Sequence, residues 1–387
     1  MLTKLRRRLA PLLGKIVELK LIFFLIALII LVVLFAPSIA QFLDRATTIP
    51  RFITSLLFNK EIELKKEEES GAVNILLLGI AGGNHDGATL TDTIIFAHID
   101  SDRNKAVLVS IPRDLWVPVL GSKINAAYEF GEEKRKGGGL TLAKATVSDL
   151  LAQPVSYAFR IDFSGFVQII DQVGRLDIAV DNTFDDYNYP ISEKEKDLCG
   201  KTEEETQMLM ATISATPAPP LSEIFPCRVE HLHFDKGAAH MDGETALKYV
   251  RSRQAVGDEG TDFARSRRQQ KVLTAFRDKV LSLGILLNPF KLIQLTQTLG
   301  KSIDTDIASS EYDDFVKLAQ KMQGTTIKTI VLDQGDEKQK REGLLINPPV
   351  SQYGTWALSP RTGDFTEIQK YVACEITKDD CTIPENF

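Results

Sequence analysis

The chain has 387 residues, 44% of them apolar and 25% charged, with a formal net charge of −6. That length and composition suffice to bury a full core, which excludes intrinsic disorder and favours one large domain with appendages. The first 20 residues carry six basic side chains and one acid, leaving −11 on the remainder and excluding a general nucleic-acid binder.

Residues 21–40, LIFFLIALIILVVLFAPSIA, are an uncharged apolar run of the ~20 residues that span a bilayer core, and predict a transmembrane helix. The basic lead, residues 1–20, holds the N-terminus in the cytoplasm and sends everything from residue 41 to the outer side. Ser38-Ile39-Ala40 would suit signal-peptide cleavage, but the apolar run exceeds a usual signal segment and the basic lead is long, so an uncleaved single-pass anchor is expected. Residues 41–71 end in EIELKKEEES, a charge-dense run suited to an extracytoplasmic stalk.

A domain then begins abruptly. AVNILLLGI (72–80), TDTIIFAHID (91–100) and KAVLVSIP (105–112) are short, apolar and β-branched, as buried strands are. LTLAKATVSDLLA (140–152) has helical spacing, VSYAFRID (155–162) alternates as a strand, and FSGFVQIIDQVG (163–174) reads as a helix closed by glycine. Such alternation predicts an α/β fold, a layered α-β-α domain around a central mixed sheet. From about 183 to 227 the chain turns polar and carries PAPP, the mark of an inserted loop. Helices follow at about Asp242 to Arg253, Asp262 to about Ser282, near 287–299 and at 309–322, and TIKTIVL (326–332) supplies a last strand. The domain is thus placed at 72–333, with a C-terminal segment, 334–387, holding a small strand TWALSP and a helix around Thr366 to Val372.

Four cysteines fall as two near pairs, Cys199 with Cys227 and Cys374 with Cys381. Outside the cytosol this predicts two disulfides, although four cysteines allow three connectivities.

Tyr249 to Gln270 holds five arginines in a chain of net negative charge. On the helix starting at Asp262, positions 265, 269, 272, 276 and 280 follow one stripe of a 3.6-residue period and are Arg, Gln, Val, Phe and Val. Arg265 and Gln269 therefore continue an inward face, and an inward arginine needs an anionic partner. Arg251 and Arg253 end the preceding helix, joined to the next by a flexible loop, so the guanidinium groups converge. A bound phosphate would suit them; internal ion pairs with Asp258, Glu259 and Asp262 would also, and composition leaves both open. Arg267 falls off the stripe, on a solvated face, and Arg268 is not singled out.

Asp92 begins one strand and Arg113 leaves a neighbouring strand through SIPRD, the strand-end crevice where α/β sheets bind ligands. An acid among arginines suggests a divalent cation bridging carboxylate to phosphate. His231 and His233 share one face of a strand and could hold a metal, though paired surface histidines are commonly no more than that. The glycine-rich NILLLGIAGGNHDG has neither P-loop nor dinucleotide spacing, so no nucleotide site is expected.

NILLLGI…LTDT, VSIPRD, KINAAYEFG, RIDFSGF, HMDGETALKYVRSR and DFARSRRQQ occur in order along residues 72 to about 285. In this series the chain resembles the LytR-CpsA-Psr family of membrane-anchored cell-wall phosphotransferases. The resemblance implies transfer of a glycopolymer from a polyprenyl diphosphate carrier to a peptidoglycan hydroxyl through a phosphodiester, with Mg²⁺ or Mn²⁺ as cofactor and the lipid bilayer and peptidoglycan as partners. It implies that Arg113, Arg251, Arg253, Arg265 and Gln269 grip the pyrophosphate, that Asp92 binds metal, and that Asp92, Arg113 and Arg265 are catalytic. Two positions depart from the family pattern: Ala81 stands where an aspartate is frequent, leaving Asp86 as the nearest second metal ligand, and Leu90 stands where an arginine precedes the metal-binding acid. The same residues could hydrolyse the lipid diphosphate, or merely anchor an anionic wall polymer. A polyprenyl substrate further requires an apolar tunnel beside the arginines, with walls expected from 73–80, 93–98, 106–111, Val272, Phe276 and Val280.

Overall fold

The computed structural model describes residues 61–387, apart from 69, 84–86, 193, 195, 214–220, 283–298, 337–340, 379–380 and 384–387. The expected cytoplasmic lead, transmembrane helix and most of the stalk lie outside the described residues, as does nearly all of the helix expected near 287–299. Among the described residues, no helix is long and apolar enough to cross a membrane.

The elements begin with β1 (Val73–Ile80), β2 (Thr91–Asp100), β3 (Lys105–Ser110), α1 (Ala127–Lys134), α2 (Gly139–Leu151), β4 (Tyr157–Asp162) and α3 (Phe163–Gln172). Next come β5 (Leu176–Val180), β6 (Phe184–Pro190), α4 (Glu203–Ile213), β7 (Val229–Phe234), β8 (Gly237–Met241), α5 (Gly243–Arg251) and α6 (Asp262–Ser282). β9 (Ile303–Thr305), α7 (Tyr312–Lys321), β10 (Ile327–Val331) and α8 (Thr366–Thr377) complete the set used below.

Six strands form one mixed sheet in the order β9-β4-β1-β2-β3-β10. β1, β2 and β3 pair antiparallel, β4 runs parallel to β1, and β10 runs parallel to β3 at the edge. The period of two along β1 sends Leu76 and Leu78 to one face, where they join Phe96, Val109, Leu150 of α2 and Ile368 and Val372 of α8. Val73 and Ile75 go to the other face, with Ala97, Leu108 and Leu318 of α7. Both faces are covered, which is why these strands are near-continuous apolar runs and why the expected α-β-α layering holds.

A third core packs α3, α5 and α6 against two ribbons, β5 with β8 and β6 with β7, around Ile170, Leu176, Phe184, Phe234 and Tyr249. Side-chain caps set the helix starts: Asp162 accepts from Gly165 N at 2.8 Å to open α3, and Asp242 accepts from Thr245 N at 2.9 Å to open α5. α3 and α5 cross closely because Gly243 lacks a side chain; a Cβ there would collide with the Val167 backbone.

Three features differ from expectation. Phe184–Pro190 is a strand paired with β7, so the loop of the insert runs only from Ile191; the aspartates at 185 and 186 look like loop residues, but one points to solvent and the other inward. In TWALSP only Ser359–Pro360 is a strand, paired with Leu345–Ile346. The segment from 334 is no loose appendage either, since Leu344, Leu345, Leu358 and Ile376 are buried in the first core.

Both disulfides form as paired in the sequence, Cys199–Cys227 across 28 residues and Cys374–Cys381 across 7. Chain entropy assigns the longer loop about 3.6 kcal/mol and the shorter about 2.4 kcal/mol. Replacing Cys199 and Cys227 together by serine is therefore expected to lower unfolding stability more than replacing Cys374 and Cys381, as read from urea midpoints at unchanged slope.

Candidate active site

Asp92 is the second residue of β2, and Arg113 follows β3 by the rigid Ile111-Pro112 step. The antiparallel pairing of β2 and β3 sets the start of one beside the end of the other, so Arg113 Nη1 donates to Asp92 Oδ1 in a close ion pair. Arg113 Nε lies 3.4 Å from Asp114, which Lys123 also holds at 2.7 Å. Burial pulls the Arg113 guanidinium down, but the Asp92 and Asp114 carboxylates outweigh it and leave Arg113 above its ordinary value.

Helix α6 lies across this corner. Gln269 Nε2 donates to Thr93 Oγ1 at 3.0 Å, and Arg265, one turn earlier, is buried on the same side. Arg251, the last residue of α5, donates to the Tyr189 hydroxyl at 3.2 Å and lies 4.2 Å over the Phe163 ring. Burial pushes Tyr189 up to about 12, so its hydroxyl keeps its proton at physiological pH and can donate to a ligand.

Asp92, Arg113, Arg251, Arg253, Arg265 and Gln269 all line one cavity of about 870 Å³. The structure thus brings together every described residue of the expected site; Asp86, the proposed second metal ligand, lies outside the described residues. The rest of the lining is mostly apolar, from Leu77 and Ile80 of β1, Phe159 of β4, Phe166 and Ile169 of α3, and Val272, Phe276 and Val280 of α6. The expected walls from β1, β2 and α6 are present. The wall expected from 106–111 is not: Val107 and Val109 pack toward α2 and α8, Leu108 toward α7, and β3 is closed on both faces. An apolar run cannot reveal that its strand lies one position too far along the sheet.

Two contributions escaped the sequence. Tyr189 falls within the loop expected from about 183 to 227, although Phe184, Tyr187 and Tyr189 give FDDYNYP the aromatic content of a strand. Arg268 is 3% exposed and wholly engaged by protein: it donates to the carbonyls of Tyr249, Ser252 and Glu259 and to the Glu259 carboxylate at 2.6 to 2.9 Å. The signal was an i, i+4, i+8 row, Ala264, Arg268 and Val272, every member buried. For Arg268 the ion-pair reading is the correct one. Arg267 is 41% exposed and only 3.6 Å from Glu259, the solvated position expected for it.

Three carboxylates line the cavity. Asp162 is held by the α3 cap, and Asp186 by Asn188 N, Ser252 Oγ and Gln254 N. Asp92 is the one facing a guanidinium, in a donor set that also includes Thr93. One carboxylate plus substrate phosphate oxygens is a ligand set that Mg²⁺ accepts, so the residues present fit a dication despite Ala81.

One cavity thus holds four guanidinium groups among largely apolar walls. The pattern of the LytR_cpsA_psr family matches residues 53–347, and the chain belongs to that family. Among curated relatives, the polyisoprenyl-teichoic acid–peptidoglycan teichoic acid transferase TagU of Bacillus cereus is 27% identical over 263 residues, covering 67% of each chain. The transferase of the same description from Bacillus subtilis, TagV, is 27% identical over 264 residues, covering 66% of this chain and 54% of its own length. The crystal structure of Bacillus subtilis TagV matches the fold with a TM-score of 0.51 at 23% identity, over 81% of this chain and all of that one.

The two neighbouring arginines separate structure from surface. Arg268→Met strands Glu259 and three carbonyls and is expected to cost about 3 kcal/mol, a fall in melting temperature of roughly 6–12 °C. Arg267→Met is expected to stay within about 0.5 kcal/mol; calorimetry of the two variants reads the difference.

Proposed function

We infer that this chain transfers a glycopolymer from a polyprenyl diphosphate carrier to a peptidoglycan hydroxyl, leaving a phosphodiester. One observation carries the reading: four arginines, Arg113, Arg251, Arg253 and Arg265, share one cavity with a largely apolar lining. From Arg265 to Val280 the lining helix passes from cationic to apolar over roughly 22 Å at 1.5 Å per residue. A diphosphate head fits the first end and an isoprenoid chain the second. The polyisoprenyl-teichoic acid and peptidoglycan in the names of TagU and TagV support the same substrate pair. The apolar run 21–40 would anchor the domain at the outer face of the membrane, beside its lipid substrate.

The chemistry asks for position and charge rather than a covalent intermediate. The acceptor hydroxyl oxygen attacks the sugar-linked phosphorus in line, the bridging P–O bond breaks, and polyprenyl phosphate departs, with the hydroxyl proton ending on a phosphate oxygen or in solvent. Planar guanidinium forks hold the non-bridging oxygens in fixed orientation and stabilise charge that grows on the leaving phosphate. Arg113, its fork braced by Asp92 and Asp114, is oriented before substrate arrives. Arg251, stacked on Phe163, is likewise preset. Asp92 would hold a bound Mg²⁺ or Mn²⁺, whose positive charge would supply further neutralisation of the phosphate. The apolar walls exclude water from the carrier end and so favour the sugar acceptor over hydrolysis.

Arg265→Ala is expected to reduce transfer at least 100-fold while the melting temperature moves by no more than about 2 °C; retained activity with a large loss of stability would assign Arg265 to internal ion pairing instead. Lipid-linked glycan incubated with and without peptidoglycan separates transfer from its rivals: polymer-bound phosphodiester only in its presence supports transfer, equal carrier release without it marks a hydrolase, and no turnover marks an anchor. Leu273→Trp, which places bulk into the cavity lining, is expected to depress activity with full-length carrier far more than with a short-chain analogue.

A further inference from the structure

We propose that the β6–β7 ribbon carries a second metal site, for a divalent transition ion of the zinc or copper type, with Asp185, His231 and His233 as its ligands. Asp185 and His233 are direct cross-strand partners, and His231 lies two residues back, so all three project from one face of the ribbon. Their ligand atoms already lie within 4.8 Å of one another. Ligands bound to zinc at about 2.0 Å stand roughly 3.3 Å apart in a tetrahedron, a closure that small side-chain rotations supply.

The cluster is preset for a cation. His231 Nε2 and His233 Nδ1 are hydrogen-bonded at 2.7 and 2.8 Å to the same atom, Asp185 Oδ1, so both imidazoles converge on one carboxylate oxygen and a cation would take the place of the protons they share with it. Asp235 Oδ1 lies 3.3 Å from His233 Nε2, where it would take the outward N–H of a ring ligating through Nδ1. That carboxylate–histidine–metal relay fixes the tautomer and raises ligand basicity. The Tyr187 ring stacks on His231 at 4.3 Å and 8° and limits its rotation. Two imidazoles and one carboxylate select zinc or copper over magnesium, which prefers oxygen donors, so this site and the Asp92 corner are chemically distinct. The histidines are about half exposed, leaving coordination positions open to water or an external ligand. In the other trio with metal-ligand spacing among the described residues, Asp197, Cys199 and Cys227, the sulfurs are tied in a disulfide.

The test uses the full chain in detergent, expressed without a histidine tag, and titrated calorimetrically with ZnCl₂ in excess MgCl₂. One saturable site is expected, weakened at least 10-fold by His231→Ala or His233→Ala and by about 10-fold in Asp235→Asn. With CuCl₂ in place of zinc, the electron spin resonance spectrum of the wild type should show coupling to two imidazole nitrogens, reduced to one in His231→Ala. Absence of a saturable zinc site, equal affinity in the double histidine variant, or copper coupling without two imidazoles would each overturn the assignment.

Discussion

Arg268 is the contact on which the geometry of the site rests. It is a buried cation whose partners come from two places: the carbonyls of Tyr249 and Ser252 at the end of α5, and the carbonyl and carboxylate of Glu259 in the connecting loop. From the opposite side Asp186 receives Ser252 Oγ and Gln254 N. One buried positive and one buried negative side chain thus hold the carbonyls and the amides of the same short connection. That connection sets the separation of Arg251 and Arg253 from Arg265, so three cations that would repel one another are kept facing a shared space. An anion bound there, as the proposed function requires, would offset their mutual repulsion.

The division of labour among five arginines within eighteen positions follows from this. Arg268 organises, Arg267 is solvated, and Arg251, Arg253 and Arg265 face the cavity. Arg113 arrives from a different part of the chain, through the pairing of β2 with β3. The sheet supplies rigidity, while α3, α5 and α6 supply a removable-looking interior that the sheet alone would have filled. The cavity is therefore a property of the join between two cores, with Phe166 and Ile169 belonging to one and Leu77 and Leu273 to the other.

Much of this was legible in residue order. Short apolar runs bounded by turn residues mark five of the six strands of the sheet, β9 being too short to stand out, but they carry no strand order, so nothing in the sequence removes β3 from the cavity wall. The stripe through Arg265, Gln269, Val272, Phe276 and Val280 identified the lining face of α6, because helical period converts directly into direction. Arg268 escaped because it belongs to an adjacent row, and because a buried arginine satisfied by carbonyls leaves no trace in charge pattern. Asp185 and Asp186 concealed β6, since acidic pairs mimic loops; only cross-strand pairing shows one carboxylate meeting histidines in solvent and the other meeting a hydroxyl in the core. The segment after 334 looked peripheral because its apolar residues are scattered, yet it closes one face of the sheet.

The large interior space has a thermodynamic counterpart. Side chains around it lack neighbours that a closed core would give them, so the unliganded domain forgoes dispersion and burial that its sequence could otherwise collect. Under the proposed function, an isoprenoid chain entering the space would restore those contacts, and by mass action folding equilibrium and carrier concentration would become one coupled quantity. Abundance of lipid carrier would then govern how long each copy of the protein survives, as well as how fast it works, and idle copies would be the first lost to proteolysis.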